Sequence, residues 1–404
     1  MAVKPRLGIG RRIGPDVARV AVRQIKGKEV CFLLDAADYY WNQAVITYDE
    51  GLDQALESLC LFYAERRRLA EGEAACRLAA DRLQASAQGV ALRALARVLA
   101  WQAAFIGWLQ PVEEAERVRQ LLAQSLELLE RPELAEHDTR RERAFVLRQM
   151  GRVAHRTDLK VAQRWYRQSL ALYRALDEAW WAADTLFLLS DATAMLGSVG
   201  LAKRQLTESA ELRRGVGDRR GLARSLAYLS LFAAHTEPAQ AEGFGRESIA
   251  LIRELGDQPG LAYALLFVGI GMAVFGRYAD GYVLLEESVA IHYERGIDGN
   301  AAWSQVWAGF VTLHLGDYDQ AQRGTEKALQ FYRENESFFE VACSLSVLGM
   351  AALAGGVCAE ALEVFEESVS LFRQLRTPET LSRELANLGL ARLKHVYTGG
   401  APLG

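Results

Sequence analysis

Gly221-Leu-Ala-Arg-Ser-Leu226, Gly260-Leu-Ala-Tyr-Ala-Leu265, Asn300-Ala-Ala-Trp-Ser-Gln305 and Phe339-Glu-Val-Ala-Cys-Ser344 are four versions of one phrase within the stretch from Gly221 to Pro378, returning at a spacing of about 40 residues. Each leads through a small-residue hinge into a second amphipathic run: Gly245-Arg-Glu-Ser-Ile249, Leu285-Glu-Glu-Ser-Val289, Thr325-Glu-Lys-Ala-Leu329 and Phe365-Glu-Glu-Ser-Val369. A fixed period of this length is the mark of stacked helix pairs, because a single pair cannot bury its apolar face without a neighbour. The expected fold is therefore all-α: a right-handed superhelical solenoid of stacked antiparallel helix pairs.

Outward from that stretch the period runs over most of the 404 residues. Residues 1–28 form a basic lead-in, with Lys4, Arg6, Arg11, Arg12, Arg19, Arg23, Lys26 and Lys28 against one acid, Asp16. Its Gly8, Gly10 and Gly14 are not a phosphate loop, because no Gly-Lys-Ser/Thr follows to reach phosphate and magnesium. Residues 29–50, with Tyr39-Tyr40-Trp41, read as a capping helix over the first repeat. Eight repeats follow over 51–379, and residues 380–404 read as a C-terminal capping helix with a flexible tail.

Half of the residues are hydrophobic and the net charge is −4, so the chain as a whole has no electrostatic claim on nucleic acid or an anionic membrane. Only the lead-in, joined to the arginines of the third repeat, offers a nucleic-acid reading, and nucleic acid is not the expected partner. The five cysteines are scattered without a Cys-x-x-Cys, as in a reduced cytoplasmic protein with neither disulfide framework nor zinc site. No apolar run is long enough to span a membrane, the longest being Gly260 to Phe275. The six histidines form no His-x-x-x-His pair, and there is no Gly-x-Ser-x-Gly elbow. Paired acids such as Glu286-Glu287 are neighbours in sequence and point apart on a helix. No catalytic, cofactor or metal residues are expected.

Aligning the hinges exposes a finer signature. Gly309, Leu315-Gly316-Asp317-Tyr318, Ala321 and Ala328 have counterparts in Gly269, Phe275-Gly276-Arg277-Tyr278, Gly281 and Ser288, and in Leu348-Gly349, Ala361, Phe365 and Ser368. This resembles the tetratricopeptide repeat in its longer variant, over roughly residues 51–395. A narrower resemblance lies in Leu56-Glu-Ser-Leu-Cys-Leu-Phe-Tyr-Ala-Glu-Arg-Arg-Arg-Leu-Ala-Glu-Gly-Glu-Ala-Ala75 and the turns Val216-Gly-Asp-Arg-Arg-Gly221 and Leu255-Gly-Asp-Gln-Pro-Gly260. These look like the C-terminal helical sensor region of bacterial STAND-type signal-transduction ATPases and related transcriptional regulators. That family places its repeats after a nucleotide-binding domain, where they sense an inducer or partner. No Walker loops and no DNA-reading helix-turn-helix accompany them here, so the resemblance implies the sensor portion alone.

In such a superhelix the first helix of each pair lines a concave face. The groove-facing candidates are Phe145, Arg148, Arg152 and Arg156 in the third unit and Asp184, Phe187 and Asp191 in the fourth. Tyr263, Leu266 and Ile270 follow in the sixth, then Trp303, Val306, Phe310 and His314 in the seventh. A protein or peptide with an acidic end and an apolar end fits that lining, since arginines pair carboxylates and aromatics supply contact area. The alternative is a small-molecule inducer stacked by Tyr263, Trp303 and Phe310. The expectation is a non-catalytic scaffold or sensor.

Overall fold

The computed structural model describes residues 50–84, 90–109, 114–234, 236–375 and 377–397. The basic lead-in, nearly all of the expected N-terminal cap, and the chain from residue 398 onward lie outside them, as does Cys31. Every regular element among the described residues is helical, and the chain divides into two compact units at Leu196 and Gly197.

The first unit holds α1 (Glu50–Glu65), α2 (Leu69–Gln84), α3 (Val90–Leu109), α4 (Ala115–Leu129), α5 (Arg140–Ala154), α6 (Leu159–Ala175) and α7 (Ala179–Met195), with a short 3-10 turn at Pro132–Leu134. The second holds α8 (Val199–Gly215), α9 (Arg219–Ala233), α10 (Pro238–Glu254), α11 (Gln258–Val274), α12 (Tyr278–Glu294), α13 (Asp298–His314), α14 (Tyr318–Glu334), α15 (Phe338–Ala354), α16 (Cys358–Gln374) and α17 (Pro378–Tyr397). Within each unit every helix packs on the next, and α9, α11, α13 and α15 also meet one another in sequence, as stacked pairs require.

The turns explain the period. From Pro238 the helices begin at Gln258, Tyr278, Asp298, Tyr318, Phe338, Cys358 and Pro378, one start every 20 residues, so two helices and two turns make one 40-residue repeat. Most of the turns in this unit pass through a left-handed residue: Gly217, Gly256, Gly276, Gly296, Gly316 and Gly356 all have positive φ. Behind that residue the chain closes a six-to-one hydrogen bond, as from the Arg277 amide to the Met272 carbonyl at 2.9 Å, which satisfies the end of the helix. In Gly217-Asp218, Gly256-Asp257 and Gly316-Asp317 the aspartate then caps the next helix, accepting from the amides of Gly221, Gly260 and Gln320 at 2.9, 3.2 and 3.0 Å. One Gly-Asp pair thus ends one helix and starts another.

Glu336 occupies the same turn position with φ 50° and no glycine to relax it. Glu336→Gly is expected to raise the stability of the second unit by about 0.5–1 kcal/mol, the left-handed penalty less the entropy glycine loses. Urea titration of the variant checks it.

Between the paired helices a buried serine recurs. Ser125, Ser169, Ser248, Ser288 and Ser368, each fully buried on a second helix, donate to the carbonyls of Ala96, Ala144, Ala223, Ala262 and Ala342 on the first helix at 2.7, 2.7, 2.7, 2.8 and 3.0 Å. Small residues let the backbones approach: a Cβ on Gly281 would lie 2.8 Å from the Gly269 carbonyl oxygen. Tyr166 and Phe365 lie over Gly151 and Gly349 in the same way.

Helix α17 docks through Leu388 and Ala391, and through Glu384, which is fully buried. Ser346 donates to Glu384 Oε2 at 2.8 Å, while Oε1 has no hydrogen-bond partner among the described residues. Burial pushes the Glu384 carboxyl above its ordinary value, outweighing the hydrogen bond from Ser346. The folded state therefore holds this proton more tightly than the unfolded chain. Its stabilising share is complete below the ordinary carboxyl pKa and is lost as pH rises through the raised value. Glu384→Gln is expected to flatten that decline and raise the melting temperature at pH 7, read by thermal melts across pH 4–8. An unchanged pH profile would show that Glu384 stays ionised in the fold.

Candidate binding faces on the first helices

In the first unit, α1, α3, α5 and α7 bring charged and aromatic side chains to one face. Arg93 Nη2 lies 2.7 Å from Glu142, and Arg141 bridges Glu57 and Glu178, its Nε 2.8 Å from the latter. Trp181 Nε1 donates to Glu57 at 3.0 Å. Burial works against the Arg141 charge, but attraction to Glu57 and Glu178 outweighs it and raises its pKa. Beneath this lattice Trp101 and Phe145 pack with centroids 4.5 Å apart, Phe145 meets Trp181 edge-on at 5.4 Å, and Tyr173 stacks on Trp181 at 5.8 Å. Burial pushes the Tyr173 phenol up, so it stays neutral. The cavity between Glu57, Arg97, Trp101, Arg141, Phe145 and Trp181 is about 30 Å³, room for one water and no organic ligand.

Arg148 and Asp184 form a buried ion pair, with the guanidinium 5.4 Å from the Trp181 ring centroid. Phe145 and Phe187 are buried at 8% and 5% exposure. Arg152 is half-buried 5.7 Å from the Trp108 ring, Arg156 is exposed, and Asp191 sits 3.3 Å from His155 Nε2. The arginine series expected to face an anion thus spends its first member on Asp184. The residues that complete the face, Glu57, Trp101, Arg141, Glu142 and Trp181, sit one or two helical turns from those singled out in the sequence, or on a neighbouring helix. For Arg141 and Glu142 the signal was the charged run Arg140-Arg-Glu-Arg143 at the start of α5.

The second unit presents a different face. Leu266, Ile270 and Val306 are buried in the core between helices, leaving the surface to their neighbours. Tyr263 is half-buried, donates to the Tyr228 hydroxyl at 3.0 Å and packs on Phe267 at 4.7 Å, and Phe267 meets Tyr228 at 4.2 Å. On α13, Trp303, Trp307 and Phe310 are half-buried and follow one another at 6.2 and 5.6 Å. His314, exposed, packs on Phe310 and stacks on Tyr278 at 4.6 Å. Phe267 on α11 and the α13 aromatics rest on the same apolar cluster, which includes Leu266, Ile270, Ala308 and Val311. Trp307 Nε1 is buried and has no acceptor among the described residues. Tyr228, Phe267 and Trp307 went unread in the sequence although each lies on a first helix, two of them four residues from an aromatic that was read.

Among the described residues no group of three His, Cys, Asp or Glu could hold a metal ion, and no helix is long and apolar enough to cross a membrane.

No protein-family model matches the chain. No curated protein matches it in sequence. Solved structures do. A Rap protein complexed with Competence and Sporulation Factor is similar over 90% of this chain and 98% of its own, at 13% identity and a TM-score of 0.58. Apo RapI is similar over 70% of this chain and 98% of its own, at 12% identity and a TM-score of 0.56. At these identities the likeness is one of fold, and it identifies the chain as a tetratricopeptide-like helical repeat protein. A STAND protein with a tetratricopeptide repeat sensor from Pyrococcus horikoshii is similar over 81% of this chain and 53% of its own, at 15% identity and a TM-score of 0.46.

Proposed function

We propose that this chain is a non-catalytic scaffold or sensor, of the kind that serves a signalling regulator, and that it binds a protein or peptide segment on the first-helix face of its second unit. The observation that carries this is the half-buried row Tyr263, Phe267, Trp303, Trp307 and Phe310, with the Trp307 indole N–H buried and unpaired. A buried donor without an acceptor is costly. It is well matched by a carbonyl arriving on a ligand, while the rings around it supply flat apolar area at low entropic cost. The Rap protein of similar fold was solved with Competence and Sporulation Factor bound, which supports a partner-holding role for such a scaffold.

The first unit fits this division of labour. Arg93, Arg141 and Arg148 are already matched by Glu142, Glu57, Glu178 and Asp184, so the binding energy is assigned to the aromatic row and not to an anion site there.

The test is selection of a displayed peptide library on the intact chain, followed by titration of the best binder. Trp303→Ala is expected to abolish binding with the helical circular dichroism unchanged. Trp307→Phe, which removes only the donor, is expected to weaken binding about five- to tenfold, the share of one hydrogen bond. A binder indifferent to both substitutions, or a Trp303→Ala chain that loses its helicity, would overturn the assignment of this row as the site.

A further inference from the structure

Where α10 begins beside the ends of α9 and α11, the helices enclose a cavity of about 240 Å³. Small buried residues line it, Ser230, Ala234, Ala241 and Gly271, with Met272 and Phe275 beside them. The next pair shows why the space is there. Helix α12 follows α10, and α13 follows α11, at 40 residues, so Pro238 corresponds to Tyr278, Glu242 to Tyr282 and Gly271 to Val311. Tyr278 and Tyr282 both pack against the apolar cluster that holds the fully buried Val311. Three residues that fill the later pair are thus replaced by smaller or charged ones, and all three replacements line the one cavity.

The later pair also states what chemistry fits. Two phenol rings stand in the corresponding place, and the Tyr282 hydroxyl is hydrogen-bonded there, accepting from Gln320 Nε2 at 2.6 Å. In the cavity the Glu242 carboxylate takes the position of Tyr282. It lies 3.4 Å from Arg277 and 4.0 Å from Arg246, and it accepts no hydrogen bond among the described residues. Arg277 instead donates from Nε to Asp280 at 2.7 Å. Glu242 therefore keeps its lone pairs for an arriving donor. Walls of this kind take a single ring, since an apolar cavity of about 150 Å³ suffices for benzene. A hydroxyl donating to a carboxylate makes one of the stronger hydrogen bonds.

We propose that this cavity is a binding site for a phenol ring, seated against Met272 and Phe275 with its hydroxyl donating to Glu242. The ring comes from a free single-ring phenol or from a tyrosine of a partner, and the chemistry of recognition is the same for both. The site shares no residue with the aromatic row and does not depend on it.

The test is fluorine NMR of 4-fluorophenol titrated with the intact chain. Saturable binding is expected, with 4-fluoroanisole, the same ring with its donor capped, at least about tenfold weaker. Glu242→Leu is expected to remove that preference. Pro238→Tyr, at an exposed position in the first turn of α10, introduces the tyrosine of the later pair. It is expected to abolish binding and to raise the melting temperature by filling the cavity, an outcome that misfolding would not give. Trp303→Ala is expected to leave phenol binding unchanged. N-acetyltyrosinamide binding more tightly than 4-fluorophenol assigns the ring to a tyrosine of a partner, and weaker binding assigns it to a free phenol. Absence of saturable binding up to about 10 mM, or equal affinity for the phenol and its ether, overturns the proposal. So does binding that survives Pro238→Tyr or is lost in Trp303→Ala.

Discussion

Asp184→Ala is expected to destabilise the first unit by about 3–5 kcal/mol, the cost of leaving a buried guanidinium without its carboxylate. Arg148 and Asp184 join α5 to α7 at 6% exposure each, under the Trp181 ring. Arg148 Nε already lacks a partner, so the pair is imperfectly satisfied as it stands. The double substitution Arg148→Met with Asp184→Leu is therefore expected to lie near the wild type or above it, because it removes both desolvation penalties and keeps the volume. Urea unfolding with hydrogen exchange on α5 and α7 separates the outcomes. A single substitution costing less than about 1 kcal/mol would mean that solvent reaches and screens the pair, as it does for surface ion pairs.

Phe365→Ala is expected to cost the second unit a similar amount, about 3–5 kcal/mol, through lost burial and the cavity left behind. The ring is fully buried against Gly349, where any Cβ would lie 2.7 Å from it. The two positions are coupled for that reason. Gly349→Ala alone is expected to destabilise by about 1–3 kcal/mol through overpacking, yet to be neutral or helpful once Phe365 has been cut back. A double-mutant cycle measured by denaturation checks the coupling, and simple additivity would show that the ring moves aside at no cost.

The helix pairs were legible because period, glycine and aspartate placement and apolar spacing are all local signals that agree. Gly316-Asp317 ends α13 and caps α14 with no help from elsewhere in the chain. The binding faces were less legible. Phe310 and Val306 lie on the same helix and both satisfy a first-helix pattern, yet Phe310 is half-buried and Val306 is buried at 4%. Which side of a helix meets its neighbour and which meets solvent depends on the angle at which pairs stack, and single-sequence spacing does not encode that angle. Arg148 illustrates the same limit: its spacing with Arg152 and Arg156 suggested an anion, whereas its carboxylate came from Asp184 on the next first helix.

The regular turn, with a left-handed residue every 20 positions in most of the second unit, also governs how that unit comes apart. In the second unit the main contacts of each helix are with the next helix or the one after it, so sequence separation between partners stays short. A unit wired in this way folds fast for its size and unravels from an end, one pair at a time, instead of melting as a block. A ligand lying across α11 and α13 would hold two neighbouring pairs together and so act as a clasp within the row.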